Sequence, residues 1–186
     1  MPDDKGLVRL HVGCGQRIIP GFTNVDIRVH QGVDYVASAE KLHFAADASV
    51  DLIYSSHLLE HFGRTLFQDV LREWYRVLKV GGILRVSVPD FRACAKLYHE
   101  KGLEEGLSGL IGLICGGQRD EFDFHKMIFD EPFLSNALKN IGFRSVRLWD
   151  WRETEHAHID DFSQAYLPHM DKENGLHMSL NLEAKR

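Results

Sequence analysis

Leu7-Val8-Arg9-Leu10-His11-Val12-Gly13-Cys14-Gly15 is a short apolar run that stops at two glycines flanking a small residue. Val8, Leu10 and Val12 alternate, which predicts a buried strand, and the glycines predict a tight exit loop that a ligand can approach closely. Two ligand classes use such an entrance. A dinucleotide requires Gly-x-Gly-x-x-Gly opening straight into a helix whose N-terminus carries the pyrophosphate. Here the third position is Ile18, and Pro20-Gly21 interrupts any helix begun after Gly15. The next acid at a strand end is Asp26, which comes sooner after the glycines than the roughly 20 residues of the dinucleotide fingerprint. These departures favour a ribose-bearing ligand without phosphates. Asp26 can accept both ribose hydroxyls while the glycine loop lies against a small zwitterionic tail; a plain turn-closing aspartate is the other reading of the same residue.

With 186 residues, 44% of them apolar, the chain can bury a substantial core, and no shift in composition marks a second unit. Residues 1–186 are therefore expected to form a single domain. The net charge of −5 and the lack of a lysine or arginine cluster speak against a nucleic-acid partner. Cys14, Cys94 and Cys115 are odd in number and far apart, as reduced thiols of an intracellular protein would be. Met1-Pro2-Asp3-Asp4-Lys5 has no apolar run of the signal-peptide kind, and no stretch is long enough to span a bilayer. The expectation is a cytoplasmic protein without a membrane partner.

Outward from the first strand, Asn24 to Ile27 and Asp34 to Ala37 predict two further short strands, and Asp51 to Ser56 a central one that is apolar on both faces. Thr65 to Lys79 predicts a helix: Phe67, Val70, Leu71, Trp74, Val77 and Leu78 recur at steps of three and four. Thr65 and Gln68 suggest a capping box, Lys79 sits in the last turn, and Gly81-Gly82 marks the end. Ile83 to Val88 follows as a strand stopped by Pro89-Asp90, which makes a parallel crossover unit. Phe91 to Glu100 and Glu131 to Ile141 predict helices, the second ending at Gly142, and Phe143 to Trp149 a strand. The glycine-spaced segment Gly102 to Gly117 fits a helix with a small-residue face, a mobile cover, or ordinary core packing. His156 to Pro168 is polar and aperiodic, and its His156-x-His158 predicts a solvated loop. His177 to Glu183 alternates strictly, predicting a last strand on an edge with one face in water.

Val12-Gly13-Cys14-Gly15, Asp26, the segment from Asp51 through His57 to His61, and the segment from Glu73 through Val77-Leu78-Lys79-Val80-Gly81-Gly82 to Pro89 resemble the class I, Rossmann-like S-adenosylmethionine-dependent methyltransferases. The likeness is nearest to the small type 11 group. It implies an α/β fold, a doubly wound, mostly parallel sheet of seven strands in the order 3-2-1-4-5-7-6, the last antiparallel, with helices on both faces. It implies S-adenosylmethionine as cofactor and S-adenosylhomocysteine as product; with no inserted domain or large N-terminal cap to recognise a macromolecule, the expected acceptor is a small or carbohydrate-like molecule. By family position, Gly13, Cys14 and Gly15 would cradle the methionine part, and Asp26, followed by Ile27, would hold the ribose. Ser38, Ala39 and Glu40 would border the adenine, and Ser55, Ser56 and His57 would line the cleft near the sulfonium. The chain departs from the family at His11 and Ser38, where acids are usual. It departs again at Gln16 to Phe22, which replaces the first helix and is expected to open one wall of the pocket.

Methyl transfer from a sulfonium is an in-line displacement, so the protein mainly positions the acceptor and, for a hydroxyl, removes its proton. Histidine titrates near neutrality and is the natural base. His57, just past the fourth strand, and His125 are the candidate catalytic residues; Asp90 follows the fifth strand in the same way. His57-Leu58-Leu59-Glu60-His61 also spells His-x-x-Glu-His, an inverted zinc-protease pattern. Its place at a strand end argues against a protease, and no metal is assigned from the sequence. The reading is an oxygen-directed methyltransferase; the alternatives are a non-catalytic adenosyl-binding module and a metal hydrolase through His57, Glu60 and His61.

Overall fold

The computed structural model describes residues 6–186. Met1–Lys5, the stretch expected to lack a signal sequence, lies outside the described residues. The chain runs β1 (Arg9–Val12), β2 (Thr23–Asp26), β3 (Tyr35–Val36), β4 (Val50–Ser56), α1 (Leu66–Val77), β5 (Leu78–Pro89), α2 (Phe91–Glu105), α3 (Ile111–Cys115), α4 (Glu131–Ile141), β6 (Arg144–Leu148), β7 (Tyr166–Leu167), β8 (Leu176–His177) and β9 (Ser179–Lys185). One sheet has the order β3-β2-β1-β4-β5-β9-β6, and β7 pairs with β8 in a separate ribbon. Only β9 runs antiparallel to its neighbours in the large sheet. With the ribbon set aside, β9 is the seventh strand, and the expected order is realised.

The two faces are built from different chemistry. On one, Leu10, Val12, Ile53, Leu84, Val86 and Leu182 are buried against Phe67, Val70, Leu71, Trp74 and Val77 of α1 and Leu134 and Leu138 of α4. The three-and-four spacing of α1 thus gives one apolar stripe, as amphipathic patterning requires. Trp74 is fully buried and donates its Nε1 proton to the Ala39 carbonyl at 3.1 Å. α4 begins at Asp130, whose carboxylate accepts from the Phe133 N–H at 2.9 Å.

Strand alternation turns the opposite set, Arg9, His11, Asn24, Tyr54, Arg85, Asn181 and Glu183, to the other face. Ile19 and Phe22 from the first loop pack there with Leu52, Tyr54 and Trp149, and the segment from Trp149 to Met178, with 3-10 turns at Trp151–Glu153 and Phe162–Gln164, folds across the rest. Between α2 and α3, Ala93, Cys94, Leu110 and Met178 form a small cluster of their own, ordinary packing for the glycine-spaced segment.

Several local expectations change. The Thr65–Gln68 capping box does not form, because Thr65 itself has helical dihedrals and caps nothing, while the Gln68 side chain accepts from Arg72. The helix stops at Val77 rather than at the glycine pair: Leu78 turns extended with its side chain buried and starts β5. Lys79 leaves the helix to bind both Asp51 oxygens, at 2.7 and 2.8 Å. The final strand is not an edge. It lies between β5 and β6 with both faces buried, so its alternation separates an apolar environment from a polar, hydrogen-bonded one instead of core from water. Gln16–Phe22 forms no helix, and Asn24 pins it through the Ile19 N–H and the Ile19 and Phe22 carbonyls. His156 is not solvated: it is 3% exposed, with its ring 4.4 Å from that of Tyr54. Among the described residues no helix is long and apolar enough to cross a membrane.

Candidate active site

The turn after β1 is held from beneath. The N–H groups of Gly13 and Cys14 donate to the Val25 carbonyl at 2.8 and 3.1 Å. The Gly15 N–H donates to Asp26 Oδ2 at 2.7 Å, and the Arg28 N–H to Asp26 Oδ1 at 2.9 Å. Asp26 is thus turned toward the glycine turn, and each oxygen keeps acceptor capacity beyond its one backbone partner. Gly13 has φ +75°, and a Cβ there would lie 2.6 Å from Leu58 Cδ2, so glycine lets Leu58 close on the turn. A Cβ on Gly15, at φ +51°, would meet nothing within 4 Å, so that side of the turn is open to a ligand. Cys14 is chemically quiet: burial, with the Asp26 carboxylate nearby, pushes its thiol up to about 12.

The other expected cofactor residues gather at the same end of the sheet. Ile27 is 49% exposed, an apolar surface directly beside Asp26. The Ala37 N–H donates to the Asp26 carbonyl, which brings Ser38, Ala39 and Glu40 to that edge. Ala39 is buried under Trp74, while Ser38 and Glu40 are partly exposed. Ser55 and Ser56 are buried at the carboxyl end of β4, and the Ser55 hydroxyl has no hydrogen-bond partner among the described residues.

Past β4 the chain enters a histidine cluster. His57 has φ +50°, a left-handed conformation uncommon outside glycine. The Ser179 hydroxyl donates to the Phe162 carbonyl at 2.6 Å, so it accepts the His57 Nε2 proton at 2.9 Å. That fixes the tautomer and leaves the Nδ1 lone pair of His57 3.5 Å from Glu60 Oε1. His125 places Nδ1 2.9 Å from the Leu113 carbonyl, which only an N–H satisfies, leaving its Nε2 lone pair 3.9 Å from the same Glu60 oxygen. His61 places Nδ1 3.1 Å from the Phe124 carbonyl and packs edge-on against His125. Glu60, 1% exposed, has no hydrogen-bond partner on either carboxylate oxygen among the described residues. Burial raises its pKa to about 8 and lowers that of His57 to about 3; burial also lowers His61 and His125. The Lys126 and Met127 N–H groups donate to the Glu60 carbonyl, so the 3-10 turn Leu59–His61 and the His125 loop form one frame.

The structure therefore joins Gly13, Cys14, Gly15, Asp26 and Ile27 through the glycine turn, and His57 with His125 through Glu60. Leu58 links the two groups. Sequence reasoning singled out His57 and His125 separately; their meeting over Glu60 is a long-range contact that spacing does not reveal, although His-x-x-Glu-His pointed to one half. It missed Ser179 and Phe162, whose role is to fix the His57 ring. A recess of about 490 Å³ lies elsewhere, lined by Arg85, Arg147, Trp149, Trp151, Arg152 and Glu183 among others. Asp26, the glycine turn and the histidine cluster are absent from its walls, and its Arg85 and Arg147 are already paired with Glu183.

Comparison with known proteins agrees with this arrangement. A methyltransferase-domain family model matches residues 10–86, the span from β1 into β5 that carries the glycine turn, Asp26 and the start of the histidine cluster. No curated protein matches the sequence. Among solved structures, an S-adenosylmethionine-dependent methyltransferase from Archaeoglobus fulgidus superposes with a TM-score of 0.60 at 19% identity, covering 98% of this chain and 87% of its own. The Burkholderia thailandensis 1,6-didemethyltoxoflavin-N1-methyltransferase, solved with its substrate and S-adenosylhomocysteine, gives 0.58 at 14% identity, covering 100% and 71%. A methyltransferase from Haloferax volcanii, in complex with its Trm112 activator, gives 0.57 at 15% identity, covering 100% and 84%. The matched segment and the sheet order give this chain the fold of the class I methyltransferases. Solved structures that share this fold are S-adenosylmethionine-dependent, and the residues present here suit that molecule: a glycine turn open on one side, a carboxylate beside it, and a buried Ser55 hydroxyl with no hydrogen-bond partner among the described residues.

Proposed function

We propose that this chain, acting as one domain over residues 1–186, methylates an oxygen of a small or carbohydrate-like acceptor in the cytoplasm. The observation that carries the reading is the junction, through Leu58, of an open glycine turn bearing Asp26 with a histidine cluster at the end of β4. In this reading Gly13, Cys14 and Gly15 cradle the methionine part and Asp26 takes the ribose hydroxyls. Ile27, Ser38, Ala39 and Glu40 border the adenine. Ser55, Ser56 and His57 line the approach to the sulfonium.

S-adenosylmethionine supplies a methyl group on a good leaving group, and the protein's share of the chemistry is alignment and proton removal. Oxygen is favoured over nitrogen because a hydroxyl acceptor needs a base, and the cleft supplies imidazoles. His57 is too acidic a ring for that task. His125, whose N–H is committed to Leu113, keeps Nε2 free to take the proton, while His57, anchored on Ser179, holds position. A small acceptor fits a sequence without a lysine or arginine cluster, and the unpaired Cys14, Cys94 and Cys115 fit a reducing compartment.

Calorimetric titration with S-adenosylhomocysteine tests the core of the reading. Replacement of Asp26 by alanine should weaken binding by about tenfold to a hundredfold, the value of a charge-assisted hydrogen bond or two. An unchanged dissociation constant in a folded variant contradicts the ribose role. A screen of small hydroxylated acceptors with the labelled cofactor then tests the accepting atom, and exclusive labelling at nitrogen would overturn the choice of oxygen.

A further inference from the structure

The Glu60 carboxylate is the group least accounted for in the molecule. It is 1% exposed, and neither oxygen has a hydrogen-bond partner among the described residues. An isolated buried carboxylate is costly, and left alone it takes up a proton. Around it stand imidazoles. One donor atom from each of Glu60, His61 and His125 lies within 4.8 Å of the others, and His57 Nδ1 stands 3.5 Å from Glu60.

The protonation pattern of the rings is the second, independent observation. His57, His61 and His125 each commit one nitrogen as N–H to an acceptor outside the cluster, Ser179 Oγ, the Phe124 carbonyl and the Leu113 carbonyl respectively. Each is thereby left with a basic lone pair on its other nitrogen. Rings oriented in this way, with the outer N–H tied to a carbonyl or hydroxyl, are how proteins present imidazoles to a metal ion. Backbone bonds from Lys126 and Met127 to the Glu60 carbonyl hold the two contributing segments in register.

We propose that Glu60, His61 and His125, with His57 as a fourth donor, bind one borderline divalent transition-metal ion of the zinc type. The donor set of imidazole nitrogens and a single carboxylate oxygen suits zinc or its first-row neighbours and suits magnesium poorly, since magnesium demands oxygen ligands. An ion here neutralises Glu60 and gives the unpartnered oxygens a ligand. It stands at the carboxyl end of β4 beside Ser55 and Ser56. Its proposed role rests on the methyl-transfer reading: the ion would lower the pKa of an acceptor hydroxyl, whose proton then passes to solvent water, so that His125 serves as a ligand and no imidazole is needed as the base. Binding of the ion does not rest on that reading.

The test uses the full chain stripped of metal by a chelator and dialysed. Zinc is added in a calorimeter, and cobalt in a spectrophotometer, where visible d–d bands report imidazole-rich coordination. One equivalent of either is expected to bind, with a rise in melting temperature. Glu60→Gln, an isostere of the neutral acid that should fold without the metal, should weaken binding by about a hundredfold or more, and His125→Gln should do likewise. Circular dichroism and S-adenosylhomocysteine affinity check that each variant is folded. Failure of the wild-type chain to take up zinc or cobalt overturns the proposal, as does uptake that Glu60→Gln and His125→Gln leave unchanged. Asp26→Ala separates the two readings: it should keep metal binding while weakening nucleoside binding by about tenfold to a hundredfold. Metal uptake without nucleoside binding in the wild type would sink the methyl-transfer assignment and leave the metal site standing.

Discussion

The two faces of the sheet hold the same strands in place by opposite means. Under α1 and α4, Leu10, Ile53, Trp74, Leu84 and Leu182 exclude water by bulk. Across the sheet, His11, Asn24, Tyr54, Asn181 and Glu183 are also buried, but each is held by a directed contact: His11 on Asn24, Asn24 on the first loop, Tyr54 on Asp161, Asn181 on the Ser163 carbonyl, Glu183 on Arg85 and Arg147. Apolar packing tolerates volume-conserving exchange, whereas a buried polar network is costly to break and fixes geometry more narrowly. The difference teaches a division of labour. One face supplies stability; the other sets the register of the segment that carries Phe162 and Ser179 against His57.

The largest effect should come from the apolar face. Trp74→Ala removes a fully buried indole and leaves the Ala39 carbonyl unpartnered, a loss of about 3–5 kcal/mol. Thermal unfolding should fall by roughly 10 °C or more for a chain of this size; a drop of only a degree or two would mean that α1 does not anchor the sheet.

The polar face should betray itself by pH. Burial lowers His11 from 6.5 to about 4, with the Asp161 carboxylate and Asn24 opposing the shift more weakly. Between these values the unfolded chain binds a proton that the folded chain refuses. Stability is therefore complete above pH 6.5 and is lost as the pH falls toward 4, by up to about 3 kcal/mol from this residue. Urea unfolding of the wild type and of His11→Gln across that range measures it, and the variant should show the shallower slope. Equal slopes would erase the distinction between the faces as far as acid is concerned.

The smallest effect sharpens the local picture. Asp130→Ala, which removes a cap in use, should cost about 1 kcal/mol, and Thr65→Ala less than about 0.5 kcal/mol because its side chain caps nothing. Chemical denaturation of the pair decides; a larger cost at Thr65 would show that the capping box forms in solution after all.

What could be read from the chain follows the same divide. The α1 stripe, the strand before Pro89, the helix from Glu131 and the turn at Gly13 were legible because periodicity, proline and glycine act locally. The strand at Ser179 was misplaced on an edge because alternation looks the same whether the polar side meets water or a buried network. His156 was assigned to solvent because nothing near it in sequence announces Tyr54 and Phe22, which enclose it. For the site, the glycine turn and Asp26 were legible, and the convergence of His125 on Glu60 was not, since the two lie on segments far apart in the chain. The missing cap at Thr65 has a simpler cause: the right residue types occur, but Thr65 is already wound into the helix.

Gly13 is where these threads cross. The vacancy left by its missing side chain is filled by Leu58, the neighbour of His57 and two positions ahead of Glu60. A methyl group added there would act as a wedge with two edges, prising the nucleoside turn upward and levering the carboxylate and its imidazoles out of line in one stroke. Damage at one residue would thus read out as two lesions, though the chain had suffered only one.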